Sequence, residues 1–277
     1  MTIFDEPKVD CHVHVLDPEG FPYAPDVAYR PAGQETGTAR QLFALMDAYG
    51  TRNALIVGPN SGYGLDNRCL LHALARSNGR CKGIAVVRND ATLEELAALR
   101  AEGIVGVAWN VTFYGLDYYR DGAGLLGRLR ELDLFVDIQV EHEQLIAMLP
   151  MLESSGVRIL VDHTGRPTGS EGVGQPGFRA LLGLAATRRA YVKLSGVAKF
   201  SRETYPFADA KPYFDALLDA YTPDGCMWAS DWPHLRAPGR MDYGVLLKHI
   251  EHVLPDSAQR RRVLWDTPNA LFGFKPL

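Results

Sequence analysis

The chain of 277 residues reads as one α/β domain, a (β/α)8 TIM barrel spanning residues 1–277, on three observations. Short apolar runs of four to seven residues alternate with helical stretches, which implies parallel βαβ units. About eight such units in about 270 residues is the size of one barrel. Polar side chains stand where the apolar runs stop, and in a barrel all strand C-termini share one face. The alternative, a doubly wound open sheet, wants a glycine-rich phosphate turn after its first strand. His12-Val13-His14 stands there instead. No longer internal repeat appears, and no linker divides the chain.

Val9 to Val15 supplies the first strand. Its alternation sends Val9, Cys11, Val13 and Val15 one way and Asp10, His12 and His14 the other. Two histidines two apart on one face have Cβ atoms roughly 7 Å apart, close enough to share one metal ion or one polarised oxygen. A proline-rich loop with interleaved aromatics follows, including Tyr29, in the position where barrel loops shape the ligand site. Residues 40–49 form an amphipathic helix closed by Gly50. Ala54–Val57 is the second strand, ending in the polar turn Pro59-Asn60-Ser61-Gly62, and a helix runs from Asp66 to Arg76. Gly83–Val87 is the third strand, and Thr92 with Glu95 opens the next helix as a capping box. Gly106–Val111 is the fourth strand, Leu125–Leu132 a helix, and Phe135–Val140 the fifth strand. Gln144–Leu152 is helical, Arg158–His163 is the sixth strand, and Phe178–Thr187 follows a glycine-rich loop as a helix. Tyr191–Gly196 is the seventh strand, Lys211–Tyr221 a helix and Cys226–Pro233 the eighth strand. Helices over Met241–Val253 and Gln259–Leu264 end the chain.

Composition narrows the function. With 47% hydrophobic and 22% charged residues and a net charge of -4, the profile is that of an ordinary globular protein. Nucleic acid is not expected as a partner, because phosphate binding needs a basic face. No apolar run reaches the roughly 18 residues of a membrane span. The first residues carry neither a basic nor an apolar leader pattern. Cys11, Cys69, Cys81 and Cys226 are scattered without a Cys-x-x-Cys pair, which fits reduced thiols and a cytoplasmic location. Oligomeric state is left open.

The strand ends bring together His12 and His14, Asn60 and Ser61, Asn110, Gln139 and Glu141, His163, Ser195, and Asp231. Ser195 and Gln139 could equally be structural hydrogen-bonders. Three imidazoles and one carboxylate converging from four strands, His12, His14, His163 and Asp231, form the ligand set of a metal hydrolase or an equivalent metal-free acid–base site. His72, His249 and His252 read as surface or helix-packing residues, and His142 as a helix-start residue. His234 stands close enough to Asp231 to support it.

Asp10-Cys11-His12-Val13-His14, Asp162-His163-Thr164-Gly165-Arg166-Pro167, Lys193-Leu194-Ser195-Gly196 and Ser230-Asp231-Trp232-Pro233-His234, in that order, resemble the amidohydrolase superfamily. More narrowly, they resemble the group of 2-pyrone-4,6-dicarboxylate lactonase and the sugar-acid lactonases. The resemblance implies a barrel that hydrolyses a small-molecule lactone, with Asp231 as the base for water. His12, His14 and His163 would then polarise the carbonyl. It implies one divalent ion, zinc foremost, on His12, His14, His163 and Asp231, or no metal at all, since the group contains both kinds. Where the pyrone dicarboxylate enzyme clamps its carboxylates with arginines, this chain has Ala108, Tyr114 and Lys199. One cation for three implies a substrate with fewer carboxylates, or a ring that Trp109, Phe113 and Tyr114 cover. A metal-dependent decarboxylase, a sugar-acid lactone isomerase and a non-catalytic binding barrel are the alternatives. The expected substrate contacts are therefore Tyr29, Asn60, Ser61, Trp109, Asn110, Tyr114, Gln139 and Lys199.

Overall fold

The computed structural model describes residues 2–274. Its strands are β1 (Lys8–Val13), β2 (Thr51–Val57), β3 (Cys81–Ala85), β4 (Ile104–Asn110), β5 (Phe135–Gln139), β6 (Arg158–Val161), β7 (Ala190–Leu194) and β8 (Cys226–Trp228). They form one parallel sheet in the order β1 to β8, each strand pairing with the next in sequence. Val13 bridges Trp232 in the parallel sense. The Asp231 amide donates to the His12 carbonyl at 2.9 Å and the His14 amide to the Trp232 carbonyl at 2.8 Å, so the sheet curls round to its own first strand. This is the (β/α)8 barrel that the alternating pattern predicts.

The helices are α1 (Ala39–Ala48), α2 (Arg68–Arg76), α3 (Leu93–Ala101), α4 (Val111–Tyr114), α5 (Ala123–Glu131), α6 (Gln144–Ser155), α7 (Pro176–Leu184), α8 (Val197–Phe200), α9 (Lys211–Tyr221), α10 (Tyr243–Val253), α11 (Ser257–Arg261) and α12 (Thr267–Phe272). The capping box at Thr92 and Glu95 forms, and Thr38 with Gln41 makes another ahead of α1. Two single-turn helices, α4 and α8, directly follow β4 and β7 where the pattern reads as loop, being too short to show a helical period. The last expected helix is instead α11, a π-helical turn over Arg262–Asp266 and α12.

Strand β1 corrects one expectation. Asp10 pairs with Ala54 and Val13 with Ile56, so three steps on β1 meet two on β2, and the extra residue forms a bulge. Val9 and Cys11 pack with Leu55, Val57, Ile84, Leu160 and Met227, whereas Val13 packs with Leu42, Met46, Ala54 and Ile56 beside α1 and α2. The alternation therefore changes face between Cys11 and Val13. His12 and His14 reach the mouth and Asp10 does not. Asp10 is fully buried, and its Oδ1 accepts from the Ser230 and His12 amides at 2.9 and 3.3 Å, tying β8 to β1. Burial raises its carboxyl to about 6.

The other end of the barrel is plugged by the C-terminal segment. Trp265, Phe272 and Phe274 join the interior cluster, with Phe272 5.6 Å from the Phe135 ring at the start of β5. Among the described residues no helix is long and apolar enough to cross a membrane.

Candidate active site

Each histidine is held from behind by its Nδ1 and turns Nε2 toward one carboxylate oxygen. His12 Nδ1 lies 3.0 Å from Asp162 Oδ1, His14 Nδ1 2.8 Å from the Val57 carbonyl and His163 Nδ1 3.1 Å from Ser195 Oγ. Their Nε2 atoms stand 3.9, 3.6 and 3.8 Å from Asp231 Oδ1, and those of His12 and His14 are 3.3 Å apart. The expected convergence of His12, His14, His163 and Asp231 is present. Backbone conformation helps to aim two of them. His163 has φ 50 and Asp231 φ 63, left-handed values that let each side chain leave its strand end sideways. Asp231 thus ends the extended run, so β8 stops at Trp228 rather than Pro233.

His12, His14 and Asp231 bring ligand atoms close enough to hold one divalent ion, and His12, Asp162 and His163 form a second such group. Ligands of a tetrahedral zinc at about 2.0–2.1 Å stand roughly 3.3–3.4 Å apart, close to the 3.3–3.9 Å spacings found. The Val57 carbonyl can only accept, so His14 carries a proton on Nδ1, and Nε2 is the ring nitrogen that faces the site. Partners on the far nitrogen are what fix metal-binding imidazoles elsewhere.

Burial acts against every charge here. It would raise Asp231, but His163, His14, His12 and Lys199 outweigh it and hold the carboxyl far below its ordinary value. His163 is pushed down to about 3 and His12 also downward, both chiefly by burial. Beneath the histidines lies an ion network that the sequence reading did not assign. Lys193 is wholly buried, with Nζ 2.7 Å from Asp137 Oδ2, 2.8 Å from Asp162 Oδ1 and 3.2 Å from His12 Nδ1. Burial would lower Lys193, yet Asp137 and Asp162 raise it. Asp162 stays well below its ordinary value because His12 and Lys193 overcome its burial, whereas burial drives Asp137 well above. A signal was available: Asp137 and Lys193 each interrupt an apolar strand, and buried charges come paired.

Above the cluster opens a cavity of about 440 Å³. Asn60, Ser61, Asn110, Gln139 and Lys199 line it, as expected. Asn60 is buried with Nδ2 unpartnered among the described residues. Asn110 Oδ1 accepts from the Phe113 amide and from Gln139 Nε2, which leaves the Gln139 carbonyl oxygen for a ligand. Trp109 lines the cavity as well, with its ring stacked 4.8 Å from Tyr119 and against Gly122. Two expected contacts, Tyr114 and Tyr29, are corrected. Tyr114 stacks 4.6 Å from Tyr118 outside the cavity. Tyr29 gives its hydroxyl to Glu35 and does not line the cavity. Of the three expected covering aromatics, Trp109 and Phe113 line the cavity, Phe113 with its ring edge-on to Tyr114 at 5.0 Å.

The charge count also changes. Ala108 lines the wall without charge, and Lys199 is the one cation at the three clamp positions, but Arg166 and Arg236 also reach the cavity. Arg166 is 3.5 Å from Glu141. Lys199 gives one hydrogen bond, of 2.5 Å, to the Leu235 carbonyl. The Arg236 guanidinium lies over the Tyr29 ring at 5.2 Å, with no carboxylate in ion-pair range among the described residues. Nothing in local sequence marked Arg236 beyond its nearness to Asp231. His234 supports Asp231 through its backbone, donating to the Asp231 carbonyl at 2.7 Å. His72 packs on Phe21, His142 bonds Thr168, and His249 is a buried packing residue, none of them at the site.

A parallel barrel whose mouth carries three imidazoles and a carboxylate is a hydrolase-type scaffold, and the chain belongs to the amidohydrolase family, whose model matches residues 9–274. It is 33% identical to the 4-sulfomuconolactone hydrolase of Rhizobium radiobacter, over 95% of this chain and 89% of that one. It is 28% identical to the 2-pyrone-4,6-dicarboxylate hydrolase of Comamonas testosteroni, again over 95% and 89%. Among solved structures, a probable 2-pyrone-4,6-dicarboxylic acid hydrolase from Acinetobacter baumannii, with citric acid bound, superposes with a TM-score of 0.88. That pair shares 26% identity over 96% of this chain and 99% of that one.

Proposed function

We propose that the chain is a lactone hydrolase that opens a small cyclic ester bearing acidic groups. The observation that carries this reading is the ionised Asp231 facing three imidazole Nε2 atoms on the floor of a cavity whose rim holds Arg166, Lys199 and Arg236. The lactone carbonyl rests against His12, His14 and His163. Asp231 takes a proton from water while the oxygen attacks the carbonyl carbon. His163, whose Nδ1 can accept from Ser195 Oγ, is placed to carry its proton on Nε2 and donate it to the tetrahedral oxyanion. As the ring C–O bond breaks, Asp231 returns its proton to the departing ring oxygen, so one water is consumed per acid formed. A divalent ion, zinc by the nitrogen-rich donor set, would be held by His12, His14, His163 and Asp231 and would add Lewis-acid polarisation of the carbonyl. Lys199 and Arg236 bind the substrate's acidic substituents, and Asn60, Ser61, Asn110 and Gln139 orient the ring.

A lactone panel with proton release as readout tests the reading. It includes sulfonated and carboxylated muconolactones, 2-pyrone-4,6-dicarboxylate and neutral sugar lactones. Net acid release, fastest with the anionic lactones, is expected. Release of carbon dioxide, isomerisation without hydrolysis, or inertness to every lactone would each reject it.

A further inference from the structure

Lys199 and Arg236 come from different loops, and one peptide group joins them. The Leu235 carbonyl accepts from Lys199 Nζ at 2.5 Å. At the other end of the same peptide, the Arg236 amide donates to Glu35 Oε1 at 2.6 Å. A peptide unit is planar, so fixing one end fixes the other. Both bonds are charge-assisted. The peptide dipole points its carbonyl at the ammonium and its N–H at the carboxylate, so each bond strengthens the other. The second Glu35 oxygen accepts from the Tyr29 hydroxyl. The Tyr29 ring in turn carries the Arg236 guanidinium over its face at 5.2 Å, an attractive arrangement for a cation. His234 and Arg236 hold left-handed φ values of 69 and 53, which residues with a Cβ keep only where their partners over-determine them.

We propose that Glu35 is a specificity-determining positioning residue. Through the Leu235–Arg236 peptide and the Tyr29 ring it sets where both Lys199 and Arg236 meet an acidic substituent of the substrate. Glu35 itself does not line the cavity. A plain charge count makes the opposite prediction. A carboxylate beside two cations repels an anionic ligand, so its removal would tighten anion binding. Loss of position weakens binding instead, because the ligand must then order both cations itself.

The proposal deepens the reading of an acidic substrate and rests on Lys199 and Arg236 as its contacts. Isothermal titration calorimetry with isophthalate, a stable ring dianion, tests it, with isophthalamide as an uncharged comparison of similar shape. Glu35→Ala should weaken isophthalate binding about three- to tenfold, the range for a lost hydrogen bond, and leave isophthalamide unchanged. Glu35→Gln keeps an oxygen for the Arg236 amide and should recover most of that loss. Tyr29→Phe keeps the ring without the hydroxyl and should show a smaller loss, and it decides the matter should Glu35→Ala fail to fold. In turnover, Glu35→Ala should raise KM for a carboxylated lactone by the same factor with kcat near the native value. Unchanged or tighter isophthalate binding in either variant, or equal weakening of isophthalamide, would overturn the proposal. If isophthalate binding shifts as expected while no lactone is opened, the positioning role stands and the hydrolase reading falls. If lactones are opened with an unshifted KM in Glu35→Ala, the reverse holds.

Discussion

Asp231 shows how much one residue combines. Its amide helps to close the barrel, its left-handed backbone turns the side chain inward, and its Oδ1 is the point on which three histidines converge. Asp231→Asn keeps size and shape, so turnover should fall by about two to four orders of magnitude with little change in Tm. Retention of a tenth of the activity would remove Asp231 from its role. The charge arms are separable. Lys199→Met deletes a charge-assisted contact worth roughly 1.5–3 kcal/mol. It should therefore lower kcat/KM for an anionic lactone about ten- to a hundredfold, chiefly through KM, and leave neutral lactones unchanged. Arg236→Met, at the exposed rim, should have a smaller effect that added salt abolishes. Equal losses for charged and neutral lactones would assign both cations to loop structure instead. His12, His14, His163 and Asp231 were legible because polar residues at strand ends have no packing reason to be there. The inward reach of Arg236 was not, because a rim side chain is aimed by a loop with no period.

At the scale of the element, tight turns place the histidines. Gly196, between β7 and α8, has φ 73, and a Cβ there would meet the His163 Cβ at 2.4 Å. Gly196→Ala should cost about 1–3 kcal/mol of stability for the left-handed backbone, measured by denaturant unfolding. It should also lower kcat by displacing His163, and full kcat would show that His163 tolerates movement. The bulge in β1 is the second such device. Asp10→Ala strips the acceptor from two buried amides, Ser230 and His12, each costing about 1–3 kcal/mol when left unpaired. A markedly lower Tm is expected, and an unchanged one would deny Asp10 a part in closure. The sequence pattern located every strand and the main helices. It misjudged β1 because a bulge inverts an alternation without changing composition. It overran β6, β7 and β8 because polar strand ends and the turns after them look extended in sequence.

For the whole molecule, one pH dependence lies outside the site. His249 on α10 packs on Phe207 and Phe214 and bonds the Pro206 carbonyl at 2.9 Å. Burial lowers it from 6.5 to about 4. The fold therefore favours the neutral ring, while the unfolded chain takes up a proton near 6.5. Its contribution is complete above that pH and is lost as pH falls toward 4, reaching roughly 3 kcal/mol. Unfolding of His249→Phe should lose part of the native acid sensitivity between those values, and an identical pH profile would exclude His249 as its source. At the opposite end from the mouth, Trp265→Ala would leave a cavity in the barrel plug at a cost of about 3–5 kcal/mol. By itself the sequence determined the alternation of strands and helices, and with it the barrel, because hydrophobic period is a local property. It also determined which chemistry-bearing residues end the strands. Tertiary structure alone decided that Asp10 braces the closure, that Lys193 joins Asp137, Asp162 and His12, and that Tyr114 and Tyr29 stay outside the cavity while Arg236 lines it. The ties of Lys193 to Asp137 and of Ser230 to Asp10 join residues 56 and 220 apart along the chain, and such partners meet only when the barrel closes.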